Sequence, residues 1–135
     1  MANPMRVHFS DRTLPYLPLQ LSYRGQTIQA KGMIDTGSMV NVLPYQLGTQ
    51  LGQQWDDFNI ELELTGNLRN VESRAVLLDA SIGDFPTVRL SFAWAKTSNV
   101  PLILGHINFL REFEICFYSA HSYFELSPKR SESTR

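Results

Sequence analysis

The sequence contains a single cysteine, Cys116, among its 135 residues, so no disulfide can form within the chain. A fold that needs no cross-links suits a reducing compartment, and we expect a cytoplasmic protein. The sequence has no apolar run of about 18 residues, which a membrane-spanning helix requires, and its N-terminus lacks the apolar segment of a signal peptide. A membrane is therefore not an expected partner.

Positive charge is not in excess either. The chain has 12 Lys and Arg residues against 13 Asp and Glu residues, a formal net charge of −1. Because proteins that bind nucleic acids neutralise phosphates with Lys and Arg, this balance argues against nucleic acid as a partner. The histidines, His8, His106 and His121, show no metal-ligand spacing, so no metal site is predicted.

Apolar residues, by contrast, make up 43% of the chain and charged residues 19%, which suits one folded domain with one core. Along most of the chain, apolar residues recur at every second position, the period of a strand with one buried face. The clearest case is a hairpin in which Leu17 to Tyr23 alternate, Arg24-Gly25-Gln26 predicts a turn, and a second strand runs to Ile34. Further short strands are predicted at residues 39–43, 60–64, 68–71, 75–78, 88–94, 102–104, 113–117 and 123–126.

These strands, about ten in all, predict an all-β fold whose sheet closes into a barrel-like shape. Two short helices are expected, one after Pro44 and one around residues 107–110. Residues 1–16 contain two prolines and are expected to form an N-terminal arm, as either an edge strand or a loose extension. The folded domain then spans residues 17–127, and the polar residues 128–135 are expected to be a disordered tail.

The second strand of the hairpin ends in Ile34-Asp35-Thr36-Gly37-Ser38. Thr36, Gly37 and Ser38 supply backbone donors and short hydroxyls, and Gly37 permits a tight turn that brings those donors close to the Asp35 carboxylate. Hydrogen bonds to an ionised carboxylate stabilise it and fix its orientation. Such a group suits acid–base chemistry, but one carboxylate cannot be base and acid at once. The alternative is an ordinary surface turn that happens to contain Asp and Gly.

The same residues, Ile34 to Ser38, resemble the signature of the aspartic proteases, and the chain length points to the retroviral-like branch, the retropepsins. Ile103-Leu104-Gly105, followed by a predicted short helix, resembles the second half of that family's active-site loops. The resemblance extends from about Leu17 to Leu126, and cellular or bacterial retropepsin-like domains are the nearer comparison. It implies a closed, barrel-like monomer with one or two short helices and a flap hairpin.

The resemblance also implies a function. Two-lobed aspartic proteases carry two such aspartates, whereas this chain has one motif, so a homodimer would donate one Asp35 from each subunit. The pair would share a proton: the ionised member would activate a water, and the protonated member would polarise the carbonyl of an extended peptide or protein substrate. No metal or organic cofactor would be needed. The alternative to this aspartic endopeptidase is a retropepsin-like dimerisation or peptide-binding domain that cleaves little or nothing.

Each residue of the motif receives a role from the resemblance. Asp35 is the catalytic residue, and Thr36 would form a hydrogen bond across the dimer axis. Gly37 would offer its backbone to the dyad or to the substrate. Ser38 would donate to the outer carboxylate oxygen and favour activity at acid pH. The loop would be supported in addition by Ile103, Leu104 and Gly105.

The hairpin predicted over residues 60–71 lies between the two motifs, where the resemblance places a flap that closes over the bound peptide. One face of this hairpin is charged and its tip contains a glycine, so we expect it to project from the body. An ordinary surface hairpin would show the same pattern. The residues assigned to the flap are Leu64, Thr65, Gly66 and Asn67.

Other residues depart from the viral pattern or have structural explanations. Met39 and His106 stand where viral retropepsins often carry an acidic residue and an arginine that contribute to dimer contacts, so the dimer must use other contacts. We expect His106 to begin the second helix with a structural partner and Cys116 to be a small buried hydrophobe. Asp56-Asp57 indicates a solvated loop, and Leu14-Pro15 an extended arm rather than a self-processing site.

Overall fold

The structure is a computed structural model that describes residues 3–9 and 14–129. None of the helices in these residues has the length and apolar composition to cross a membrane. The strands are β1 Met5–His8, β2 Tyr16–Tyr23, β3 Gln26–Ile34, β4 Asn41–Leu43, β5 Ser73–Ser81, β6 Val88–Ala95, β7 Leu102–Leu104, β8 Phe113–Tyr118 and β9 Tyr123–Pro128. The helices are α1 Tyr45–Gln50 and α2 Phe109–Glu112, with 3-10 turns at Trp55–Asp57, Gly66–Leu68 and Ser119–His121.

Six strands close into a barrel in the order β2-β3-β7-β4-β6-β5, and β5 pairs back onto β2. The predicted hairpin is β2 and β3, joined by a turn in which Arg24 and Gly25 both have positive φ. Most neighbours are antiparallel, but β7 runs parallel to β3, and β6 runs parallel to β4. The all-β, barrel-like class and the two short helices are thus confirmed.

The alternation of apolar residues along the strands explains which side chains form the core. On β2, Leu17, Leu19 and Leu21 are buried inside the barrel, and the residues between them are less buried. Strand β7 is apolar throughout because both of its faces are covered. Leu102 and Leu104 belong to the main core, whereas Ile103 belongs to a second, smaller cluster.

A separate three-stranded sheet has the order β1-β9-β8. Its strand β1 pairs antiparallel with β9, so residues 5–8 of the N-terminal arm form an edge strand. The arm gives way to the barrel at Tyr16, which already pairs with Met33. Most of the predicted disordered tail, residues 130–135, lies outside the described residues.

The prediction that Cys116 is buried is wrong, because the side chain is exposed. Strand β8 has one covered face, on which Phe113 is buried and Ile115 is half-buried against the core. Cys116 is the next residue after Ile115 and therefore points to the opposite, solvent side. Its apolar neighbours in the sequence are what suggested burial.

Candidate active site

The two motifs meet because β7 lies between β3 and β4. Met33 is level with Ile103, and Ile34 with Leu104, in the parallel pair. The backbone N–H of Asp35 then donates to the carbonyl of Leu104 at 3.0 Å. The structure thus places Ile103, Leu104 and Gly105 directly beside the loop that begins at Asp35.

The loop is a tight turn around the Asp35 carboxylate. The N–H of Gly37 donates to Asp35 Oδ1 at 2.9 Å, and the N–H of Ser38 donates to the Asp35 carbonyl at 3.1 Å. Asp35 is half-buried, whereas Thr36 and Gly37 are exposed. The carboxylate is therefore held by a backbone donor at the edge of an open surface.

The hydroxyl of Ser38 does not reach the carboxylate. It donates instead to the carbonyl of Val40 at 2.7 Å, which corrects the contact expected from the resemblance. A serine hydroxyl readily bonds a backbone group two residues away, and that local bond closes the far side of the loop. Ser38 therefore shapes the loop, and the backbone N–H of Gly37 donates to the Asp35 carboxylate.

The chain after β7 runs beside the loop and fastens it. The N–H of His106 donates to the Ser38 carbonyl at 3.0 Å, and the N–H of Ile107 donates to the Met39 carbonyl at 2.8 Å. This approach is so close that only glycine fits at position 105. A Cβ built there would lie 2.5 Å from the Val40 carbonyl oxygen and 2.6 Å from that of Ser38.

Asn41 is a site-supporting residue that sequence reasoning missed. Its side chain is 0% exposed, yet both ends of its amide are paired. Oδ1 accepts from the N–H of Gly105 at 2.7 Å, and Nδ2 donates to the Ser91 carbonyl at 2.9 Å. Asn41 thus ties β4 to the end of β7 and to β6. The available signal was a polar amide inside the apolar run Met39 to Leu43, because a buried polar group must find partners.

His106 precedes helix α2 instead of starting it, since that helix begins at Phe109. Its predicted structural partner is part of the candidate site: ring Nε2 lies 2.7 Å from the carbonyl oxygen of Thr36. The residue therefore contacts the Asp35 loop through its backbone and through its side chain.

The segment assigned to the flap does not form the predicted hairpin. The start of the segment pairs with β5 instead: Glu61 bridges Arg74, the N–H of Ala75 donates to the Ile60 carbonyl at 2.8 Å, and the N–H of Leu62 donates to the Ser73 carbonyl at 3.1 Å. Gly66 then begins a 3-10 turn. Leu64, Leu68 and Val71 all pack on one apolar cluster. Leu62 packs on the same cluster, so Leu62 and Leu64 keep the spacing of a strand, and only Gly66–Leu68 form a helical turn.

We call residues 60–72 the covering segment, because it packs onto the barrel rather than projecting from it. Leu64 is 6% exposed, whereas Thr65, Gly66 and Asn67 are exposed. The apolar cluster under the covering segment lies beside the Asp35 loop, because Met33 and Val40 flank that loop and pack against the cluster. Its buried members are Val42, Leu64, Ala93, Ala95 and Ile103.

Asp56 and Asp57, the acidic pair of the predicted solvated loop, lie in a turn apart from the Asp35 loop. Asp56 and Asp57 are exposed in a 3-10 turn, where Asp56 lies 3.8 Å from Arg74. Within residues 3–9 and 14–129, no three His, Cys, Asp or Glu side chains gather closely enough to hold a metal ion. Asp35 can accept or release one proton, and chemistry that needs both an acid and a base requires a second group.

No protein-family model and no curated protein matches the sequence, but solved structures match the fold. A retropepsin-like aspartic protease from Rickettsia conorii has a TM-score of 0.66 at 17% identity, over 92% of this chain and 89% of that one. The EIAV protease complexed with the inhibitor HBY-793 has a TM-score of 0.55 at 17% identity, over 78% of this chain and 92% of that one. The chain therefore has a retropepsin-like fold, and its activity has to be argued from its site.

Proposed function

We propose that this protein is an aspartic endopeptidase that acts as a homodimer and cleaves extended peptides. The observation that carries the proposal is the Asp35 loop. A half-buried carboxylate receives the N–H of Gly37, and its own backbone is bonded to Leu104 in the neighbouring strand. The retropepsin-like fold supports the same assignment, since the two similar structures described above are proteases.

The second carboxylate comes from Asp35 of the other subunit. Two carboxylates at close range cannot both be ionised, so they share one proton. The ionised Asp35 takes a proton from a water held between them, and this water attacks the peptide carbonyl. The protonated Asp35 gives its proton to the carbonyl oxygen as the tetrahedral diol forms. When the C–N bond breaks, the Asp35 that took the proton from water passes it to the departing amine. The other Asp35 takes back the proton of the diol hydroxyl as the new carboxyl group forms, so the pair again holds one proton. The amino-acid side chains supply all of this chemistry, without a metal or an organic cofactor.

The remaining residues bind substrate and join the subunits. Thr36 is exposed at the tip of the loop and bonds to the partner's loop across the twofold axis. The exposed tip of the covering segment, Thr65 to Asn67, closes over the peptide, which lies extended as an added strand. Leu64 anchors that segment to the cluster beside the loop.

A peptide library tests the proposal. The dimeric protein is expected to cut a subset of peptides between pH 3 and 7 and to bind one pepstatin-like transition-state mimic per dimer. Mass spectrometry identifies the cleavage sites, and calorimetry measures the stoichiometry. Failure to cut any peptide would favour the non-cleaving binding domain, and two independent inhibitor sites per dimer would contradict a shared dyad.

The subunit contact is expected to be apolar around the loop. Met39 is 62% exposed and Ile107 is 36% exposed, and their backbones are bonded to each other. Burying one such side chain is worth about 1.5–3 kcal/mol. Met39→Asp should therefore raise the dimer dissociation constant by about 10- to 100-fold, as measured by sedimentation equilibrium.

Leu77→Asp is the matched control for this variant. Leu77 is also a large exposed apolar residue, at 56%, but its strand β5 lies across the closed barrel from β7. Its dimer dissociation constant should stay within about twofold of wild type. Equal weakening by both substitutions would contradict an interface centred on the Asp35 loop.

A further inference from the structure

His106 holds the loop at two carbonyl groups. Its backbone N–H donates to the Ser38 carbonyl at 3.0 Å, and its ring Nε2 lies 2.7 Å from the Thr36 carbonyl. In the described part of the chain, the ring is the one group that donates to the Thr36 oxygen. The two contacts bracket Gly37, the residue whose N–H reaches the carboxylate.

The Thr36 carbonyl and the Gly37 N–H belong to the same planar peptide unit. In a trans peptide these two groups point in opposite directions, so fixing one of them fixes the other. The His106 ring grips the carbonyl end, and the N–H end donates to Asp35 Oδ1 at 2.9 Å. Rotation of this peptide unit would break both bonds together.

The chemistry of the ring makes the contact directional. A carbonyl oxygen only accepts, so Nε2 must carry the proton in this bond. Both the imidazolium and the neutral tautomer protonated at Nε2 provide that proton, so the bond can form in either charge state of the ring. The ring is exposed, which makes its contribution to stability small. The main effect of the ring is to fix the orientation of the Thr36–Gly37 peptide unit.

We infer that His106 is a positioning residue, which locks the Thr36–Gly37 peptide so that the Gly37 N–H stays directed at the Asp35 carboxylate. The consequence for catalysis rests on the proposed function, whereas the consequence for the Gly37 amide does not. Small displacements of a catalytic group lower the rate of the chemical step more than they weaken substrate binding. The predicted defect is therefore one of kcat.

Three variants test this role. His106→Phe keeps an aromatic ring but has no donor, and His106→Gln places an amide donor at a similar reach. His121→Phe, in the exposed turn between β8 and β9, is the matched control. All variants are compared at concentrations where sedimentation shows dimers. A change in dimer association then does not affect the measured cleavage rates.

His106→Phe is expected to lower kcat by about 10- to 100-fold with KM within about threefold. In its amide spectrum, the Gly37 proton should move upfield, away from the position of a carboxylate-bonded N–H. In His106→Gln, both kcat and the Gly37 proton position should return most of the way to wild type. His121→Phe should change neither. The thermal midpoint of His106→Phe should stay close to that of wild type.

An unchanged Gly37 resonance in His106→Phe would overturn the inference, whether or not the protein cleaves peptides. So would an equal loss of kcat in the Phe and Gln variants, because a donor would then not matter. If wild type cuts nothing but the Gly37 resonance moves as expected, the proposed function fails while the positioning role holds.

Discussion

Asp35→Asn is expected to abolish peptide cleavage, with kcat at least about 1,000-fold lower, because proton transfer by a positioned carboxyl contributes up to about 10⁴-fold. An amide neither takes up nor releases a proton at the pH of the reaction. Its oxygen can still accept the Gly37 N–H that now reaches Oδ1. The loop should therefore keep its shape, and the free energy of unfolding should change by about 1 kcal/mol or less.

The measurement pairs cleavage of the best library peptide with sedimentation equilibrium of the same sample. Asp57→Asn is the matched control, because it removes an exposed carboxylate from a 3-10 turn outside the site. The control should cleave at a rate close to that of wild type. Cleavage by Asp35→Asn above about a tenth of the wild-type rate would show that another group performs the chemistry.

Gly105→Ala is expected to have the largest effect on stability. The added methyl carbon would lie 2.5 Å from the Val40 oxygen and 2.6 Å from the Ser38 oxygen. Both are backbone atoms, which cannot rotate away as a side chain could. Overpacking of this kind costs about 3 kcal/mol, and in a domain of this size the thermal midpoint should fall by about 10 °C. Activity should be lost with it, because the two carbonyls belong to the Asp35 loop.

Gly25→Ala separates the clash from the general penalty of replacing a glycine. A methyl group at Gly25 would meet nothing within 4 Å, although its φ is +83°. Gly25→Ala therefore costs only the free energy of placing an L-residue at positive φ, about 1–2 kcal/mol. In calorimetry, the thermal midpoint of Gly105→Ala should be well below that of Gly25→Ala. If Gly25→Ala had the lower thermal midpoint, the contact between Gly105 and the Asp35 loop would be looser than these distances require.

The regular alternation of apolar residues made most of the barrel predictable. Strand β2 carries a buried residue at every second position from Leu17 to Leu21, and that signal is local. It failed where an apolar pattern had another cause. Leu64 and Leu68 pack on the barrel without forming a strand pair. Cys116 is exposed although Ile115 and Phe117 beside it are apolar, and Phe117 is itself 37% exposed.

The sequence alone predicted Asp35 as the candidate reactive group and predicted that its motif occurs once in the chain. Asp35-Thr36-Gly37-Ser38 is a contiguous turn, so its donors and its single carboxylate could be read without knowing what surrounds them. Only the tertiary structure decided what holds that turn in place. Asn41 bonds Gly105 across 64 positions in the sequence, and His106 bonds Thr36 across 70. Such contacts depend on the register of β3, β4 and β7, and strand register over these separations leaves no local pattern in the sequence.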